Sequence, residues 1–185
     1  MTSTGKSKTP MRTEKDSLGE KEVPADALYG IQTARALENF RASGLHHSDS
    51  LLRAYASIKK AAAMANHELG MLDKRRKTAI AWACDRILEG RHREQFRLDA
   101  FQAGAGTSFN MNMNEVVANL ALEKLGRKRG DYTYLSPNDH VNMAQSTNDT
   151  FPTAINVSAL LEMHLLDNAL RKLVAELRAK GRQFR

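Results

Sequence analysis

Thr153–Arg185 reads TAINVSALLEMHLLDNALRKLVAELRAKGRQFR. Apolar residues recur at Ile155, Val157, Leu160, Leu161, Met163, Leu165, Leu166, Leu170, Leu173, Val174 and Leu177, and this spacing predicts one long helix. Its first half is apolar on nearly every side. Such a helix has to be covered all round, in a bundle or at a subunit interface. Nothing else in the chain offers a helix of matching length. The expected class is therefore mainly α, with a long helix that lacks partners in its own chain.

Working outward toward the N-terminus, the chain alternates helical patterns with polar connections. Leu51–Leu69 places Leu51, Ala54, Tyr55, Ile58, Ala61, Ala62, Ala65 and Leu69 at amphipathic spacing, and Gly70 is a natural stop. Asp73 can cap a further helix that runs to Glu89 and ends at Gly90. Asn112–Leu125 predicts a helix ending at Gly126, and Ala25–Phe40 predicts one carrying Ala27, Leu28, Ile31, Ala34 and Leu37. Residues 1–11 are rich in Ser, Thr, Gly and Lys and read as a disordered tail. There is almost no β signal.

The chain has 185 residues, of which 42% are hydrophobic and 26% charged, a globular composition rather than a disordered one. No apolar run is long enough for a bilayer, and the N-terminus has no signal-peptide core, so a cytoplasmic protein is expected. The net charge of +7 raises the question of nucleic acid. The basic residues, however, are scattered in short groups without interleaved aromatics, which reads as solvated helix faces; no nucleic-acid or membrane partner is expected. Cys84 is the one cysteine. It shares a helical face with Ala79, Ala83 and Ile87 and reads as a small buried hydrophobe. The six histidines and the acids show no ligand spacing, so no metal site and no cofactor are expected.

Two polar stretches could carry chemistry. Gly104-Ala-Gly-Thr-Ser108 leads into Phe109-Asn110, and Gln145-Ser-Thr-Asn-Asp149 precedes the long helix. Backbone N–H groups at a helix start carry partial positive charge and bind anions. Thr and Ser hydroxyls and Asn amides add neutral donors. That donor set suits a carboxylate whose negative charge grows during a reaction. Glycine-rich turns and ordinary helix caps would look the same by spacing alone.

At these stretches the chain resembles the aspartase/fumarase superfamily of lyases. RTEKDSLGEKEVPADALYGIQT (Arg12–Thr33) resembles the N-terminal segment of that family. GAGTSFNMNMNE (Gly104–Glu115) resembles its first substrate-binding region, and SPNDHVNMAQSTNDTFPTA (Ser136–Ala154) the next. The forms Gly30–Thr33 and Ala144–Asn148 look more like aspartate ammonia-lyases than fumarate hydratases. The resemblance implies an N-terminal α domain over residues 12–150 and the start of a central helical bundle over 151–185. It implies that Thr107, Ser108 and Asn110 line the substrate, and that Ser146, Thr147 and Asn148 hold a carboxylate and contact the departing amino group. Asn138 and Asp139 match a segment that forms a second dicarboxylate site in fumarases, although Ser136 stands where that segment usually has His.

The resemblance further implies a homotetramer, whose active sites are each assembled from several subunits around long central helices. The implied reaction is reversible elimination of ammonia from L-aspartate to give fumarate, with fumarate hydration as the alternative and a non-catalytic remnant or interaction module as a third reading. The family's later Thr-His segment and its glycine- and serine-rich loop, which supplies the catalytic serine base and a lysine, have no match here. No catalytic residue is therefore assigned, and a truncated chain with no turnover of its own is expected.

Overall fold

The computed structural model describes residues 10–184, so the expected tail lies almost wholly outside the described residues. Its last residue, Met11, instead opens a strand. Two antiparallel strands, β1 (Met11–Asp16) and β2 (Gly19–Pro24), pair from Met11 opposite Pro24 to Asp16 opposite Gly19. Five α-helices follow: α1 (Ile31–Asn39), α2 (Asp49–Glu68), α3 (Lys74–Leu88), α4 (Thr107–Lys124) and α5 (Thr147–Gln183). The architecture is mainly α. Among the described residues no helix is long and apolar enough to cross a membrane.

The hairpin corrects the expectation of almost no β structure. MRTEKD and GEKEVP lack the apolar alternation that marks a half-buried strand. Only Glu14 and Val23 of these strands are buried. What holds the ribbon is Arg12. Its guanidinium donates to the carbonyls of Pro24 (2.9 Å), Ala27 (2.7 Å) and Tyr29 (2.7 Å) and to the Glu14 carboxylate (2.8 Å). The same contacts explain why Ala25–Gly30 is not helical. Carbonyls that a helix would use internally are given to Arg12, and Asn119 takes the Leu28 carbonyl at 2.8 Å. Helix α1 then starts late, at Ile31, where two buried carboxylates face its first turn. Glu14 accepts from the Ile31 N–H, and Glu115 accepts from the N–H groups of Gly30, Gln32 and Thr33 and from the Thr33 hydroxyl.

Helix α4 is the centre of the packed body. Every residue from Phe109 to Leu122 is buried. Helices α1 and α3 pack against it, and α2 packs on α3 and on the first turns of α5. Asp73 caps α3 and Gly70 and Gly90 close α2 and α3 with positive φ, as expected; Ser48, which the sequence reading did not single out, caps α2, its hydroxyl accepting from the Leu51 N–H. Cys84 is fully buried, and burial pushes its thiol up to about 12.

The buried face of α2 is rotated from the expected stripe. Ala61, Ala65 and Leu69 are exposed, while Lys59, Ala63 and Asn66 are buried. Polar residues sit on the inner face because that face meets a polar cluster on α4 and the loop before α5. Helix α5 begins at Thr147, six residues before the expected start, with Pro152 inside it. Its 37 residues span about 55 Å. Thr150 and Ala154 are buried; from Ala159 to Phe184 every residue is exposed, including Leu160, Leu161, Leu165, Leu166, Leu170 and Leu173. The apolar helix therefore leaves the packed body uncovered by its own chain.

Candidate active site

The starts of α4 and α5 lie side by side. Between Gln102 and Thr107 the chain makes a 3-10 turn (Gly104–Gly106), and Gly106 enters α4 with φ +75. A side chain on Gly106 would collide with the Phe151 ring on α5. Glycine is thus required twice, for its left-handed backbone and for the contact that brings the two helix starts together. Beneath the turn, Phe109 packs among His47 (ring centroids 4.0 Å apart), Tyr55 (5.6 Å) and Phe151 (6.1 Å). The Gln102 amide oxygen accepts from the Phe109 N–H at 2.8 Å and so caps α4, a role the loop reading did not foresee.

A direct bond joins the two expected segments: Asn110 Nδ2 donates to Thr147 Oγ1 at 2.8 Å. Asn110 is only 1% exposed. Its Oδ1 accepts from the Tyr55 hydroxyl (2.8 Å) and from Lys59 Nζ (2.8 Å), and its Nδ2 also approaches Asn142 Oδ1 (3.2 Å). All of its hydrogen-bonding positions are therefore occupied within the chain. Asn110 stands behind Thr147 rather than facing a ligand.

The other expected residues sit as follows. Ser146 is the N-cap of α5, its Oγ accepting from the Asn148 N–H at 3.3 Å. Thr147 is half-buried in the first turn and Asn148 is exposed beside it. Thr107 is exposed at the start of α4 and its hydroxyl donates to the Gly104 carbonyl at 3.0 Å, closing the turn. Ser108 is half-buried and faces a separate open cleft of about 830 Å³, whose walls also include Gln32, Arg35, Ser136 and Asn138. Asn138 and Asp139 are exposed on a wide turn (Pro137–Val141) capped by Ser136 Oγ, which accepts from the Asp139 N–H at 3.1 Å. The structure thus brings Asn110, Ser146, Thr147 and Asn148 together, and sets Ser108 with Asn138 across the cleft, where Asp139 does not reach. Among the described residues no group of three or more His, Cys, Asp or Glu side chains could hold a metal ion.

Tyr55, Lys59, Asn142, Gln145 and Thr150 form the floor of the first group, and the sequence reading did not assign them to the site. Lys59 Nζ donates to Asn110 Oδ1 (2.8 Å), Asn142 Oδ1 (2.9 Å) and Gln145 Oε1 (2.9 Å), and Thr150 Oγ1 lies 3.1 Å from the Tyr55 hydroxyl. One signal was available. Lys59 lies four residues after Tyr55, on the stripe of α2 that also carries Leu52, Ala56 and Ala63.

Comparison with known proteins gives this arrangement a family. A protein-family model described as Lyase matches residues 19–185. The chain is 54% identical to an aspartate ammonia-lyase of Pseudomonas aeruginosa over 94% of its length and 37% of that protein. It is 50% identical to a class II fumarate hydratase of Halobacterium salinarum, over 94% of its length and 37% of that protein. Among solved structures, a fumarate lyase:delta crystallin from Brucella melitensis superposes with a TM-score of 0.92 at 54% identity, covering 95% of this chain and 41% of that one. The chain spans about two fifths of the length of the relatives it matches. On residues 19–185 and these relatives, the chain belongs to the lyase family that contains the aspartate ammonia-lyases and class II fumarate hydratases.

Proposed function

We propose that these residues supply the carboxylate-binding part of an active site that eliminates ammonia reversibly from L-aspartate to give fumarate. The reading rests most on the 2.8 Å bond from Asn110 to Thr147, which fixes two hydroxyl- and amide-bearing helix starts as one surface. In the elimination a base removes the proton at C3, beside the β-carboxylate. Negative charge collects on that carboxylate, and ammonium leaves from C2. The start of α5 offers what that charge needs: the positive end of a 37-residue helix, the Thr147 hydroxyl and the Asn148 amide. Each donor aimed at a developing oxyanion can contribute about 3 kcal/mol. The base, and the remaining binding groups, lie outside the assigned residues. The uncovered apolar length of α5 suits assembly into a bundle with further copies, as a homo-oligomer.

Fumarate hydration is the second reading, favoured by the 50% identity to the Halobacterium enzyme. A chimera decides between them. The chain replaces the matching stretch of the Pseudomonas aeruginosa lyase, and product formed from fumarate is assayed with and without ammonium. The expected result is aspartate from fumarate and ammonium, and no turnover by the 185 residues alone. Malate without aspartate would establish the hydratase instead.

A further inference from the structure

Lys59 is 0% exposed, yet none of its three hydrogen bonds goes to a carboxylate. Buried lysines ordinarily pair with an acid or lose their charge. Here three amide oxygens converge on Nζ, and three acceptors match the three N–H donors of an ammonium. The titratable groups facing it are the Cys84 thiol from α3 and the Tyr55 phenol from its own helix, whose ring lies 5.2 Å below Nζ. Burial pushes each of these up to about 12, so both are neutral at ordinary pH. The loop before α5 contributes the Asn142 and Gln145 amides, α4 the Asn110 amide, and α5 the Thr150 hydroxyl on Tyr55. The cluster holds a cation site with no internal counter-charge.

A continuous relay leads from this cation to the start of α5. Lys59 and Tyr55 both donate to Asn110 Oδ1, which fixes the orientation of the amide. Its Nδ2 must then face Thr147 Oγ1. Because Thr147 Oγ1 accepts this bond, its own O–H remains available as a donor. We propose that Lys59 is a positioning residue of the carboxylate site: through Asn110 it sets the Thr147 hydroxyl as a donor, and the bound carboxylate serves as the counter-charge that Lys59 lacks. This rests on the placement of the substrate carboxylate at Thr147 and Asn148 argued above.

The proposal predicts a linkage. Burial, partly offset by the Cys84 thiol, lowers Lys59 to about 7. An anion held at the end of the relay favours the ammonium and raises that value. By linkage the anion then binds more tightly when Lys59 is protonated, and binding weakens as pH rises through and above about 7. His47, against Phe109, is lowered from its ordinary value by burial. A one-unit rise would give about a tenfold loss of fumarate affinity between about pH 6 and about pH 9.

The test uses the chimeric enzyme described above, which supplies the remaining binding groups, with fumarate as the probe and lysine labelled at Cε and Nζ. NMR follows the Lys59 titration with and without saturating fumarate, and a fumarate titration is run at each pH. The expected results are an upward shift of the Lys59 midpoint on binding, about tenfold weaker binding at the high-pH end, and loss of that pH dependence in Lys59→Met. Fumarate binding that leaves the Lys59 midpoint unmoved would overturn the proposal, and does not require the variant to fold. Absence of fumarate binding at every pH would overturn the carboxylate-site reading itself, and the proposal with it.

Discussion

Glu115→Ala is expected to destabilise the protein by about 4 kcal/mol, because four donors lose one acceptor at once. The Glu115 carboxylate is 1% exposed and accepts from Gly30 N (2.9 Å), Gln32 N (2.9 Å), Thr33 N (3.1 Å) and Thr33 Oγ1 (2.6 Å). Three of these are backbone groups at or beside the start of α1, which has no side-chain cap from its own Gly30. Truncation leaves them buried without partners and opens a cavity where α4 meets α1. Glu115→Gln separates the contributions. Its amide oxygen can still serve the three donors on the Oε2 side, while its NH₂ would oppose the Gln32 N–H. It should therefore cost less, about 1–2 kcal/mol. Thermal or urea unfolding of the two variants checks the order; equal effects would mean that the clash at the Gln32 N–H and the lost carboxylate, not the cavity or the three donors on the Oε2 side, dominate.

The same carboxyl carries a pH signature. Burial pushes Glu115 above the ordinary carboxylate range, against four donors that favour its charged form. A folded carboxyl with a raised value keeps its proton after the unfolded chain has released its own. Its contribution to stability is then full below the ordinary range and falls as pH rises toward the folded value. The difference in stability between wild type and Glu115→Gln should shift across that window in this direction.

Gly106→Ala is expected to cost about 3 kcal/mol and to lower the melting temperature by about 10 °C. Two effects add. The residue sits at φ +75, where a side chain costs about 1 kcal/mol. The new methyl would also overlap the Phe151 ring, which is packed against Phe109 and Tyr55 and cannot simply swing aside. Relief requires the Gly104–Gly106 turn to lift from α5, which separates Thr107 from the start of α5. Differential scanning calorimetry measures the loss. Gly104→Ala is the control: nothing lies within 4 Å of a Cβ there and its φ is not positive, so a change within about 0.5 kcal/mol is expected. Equal losses at both positions would show that backbone entropy, rather than the Phe151 contact, sets the requirement for glycine.

The long helix was legible because its apolar residues persist for many turns, and periodicity is the strongest local signal in a sequence. Its start was misplaced because Pro152 looks like a boundary, whereas the true cap is Ser146, seven residues before the expected Thr153. The hairpin was not legible. Its stability comes from Arg12 reaching carbonyls 12 to 17 residues away, and no local pattern reports a bond of that kind. Ala25–Gly30 was misread for the same reason. At the site, the loop segments stood out through their hydroxyls, amides and glycines. Their meeting did not, because the Asn110–Thr147 bond joins positions 37 residues apart. Lys59 was hidden by composition: a lysine in a helix is ordinarily solvated, and only its place on the inner stripe of α2 marks it as buried.

The central claim is that the start of α5 holds a carboxylate. Asn148 tests it most directly, because it is exposed, lies in the first helical turn and can be changed without opening the core. The measurement is the steady-state kinetics of L-aspartate deamination by the chimeric enzyme carrying Asn148→Ala, with its melting temperature recorded alongside. A lost hydrogen bond to a charged group predicts a ten- to hundredfold fall in kcat/KM, roughly 1.5–3 kcal/mol, with the melting temperature unchanged. An unchanged kcat/KM would place the carboxylate elsewhere and contradict the account.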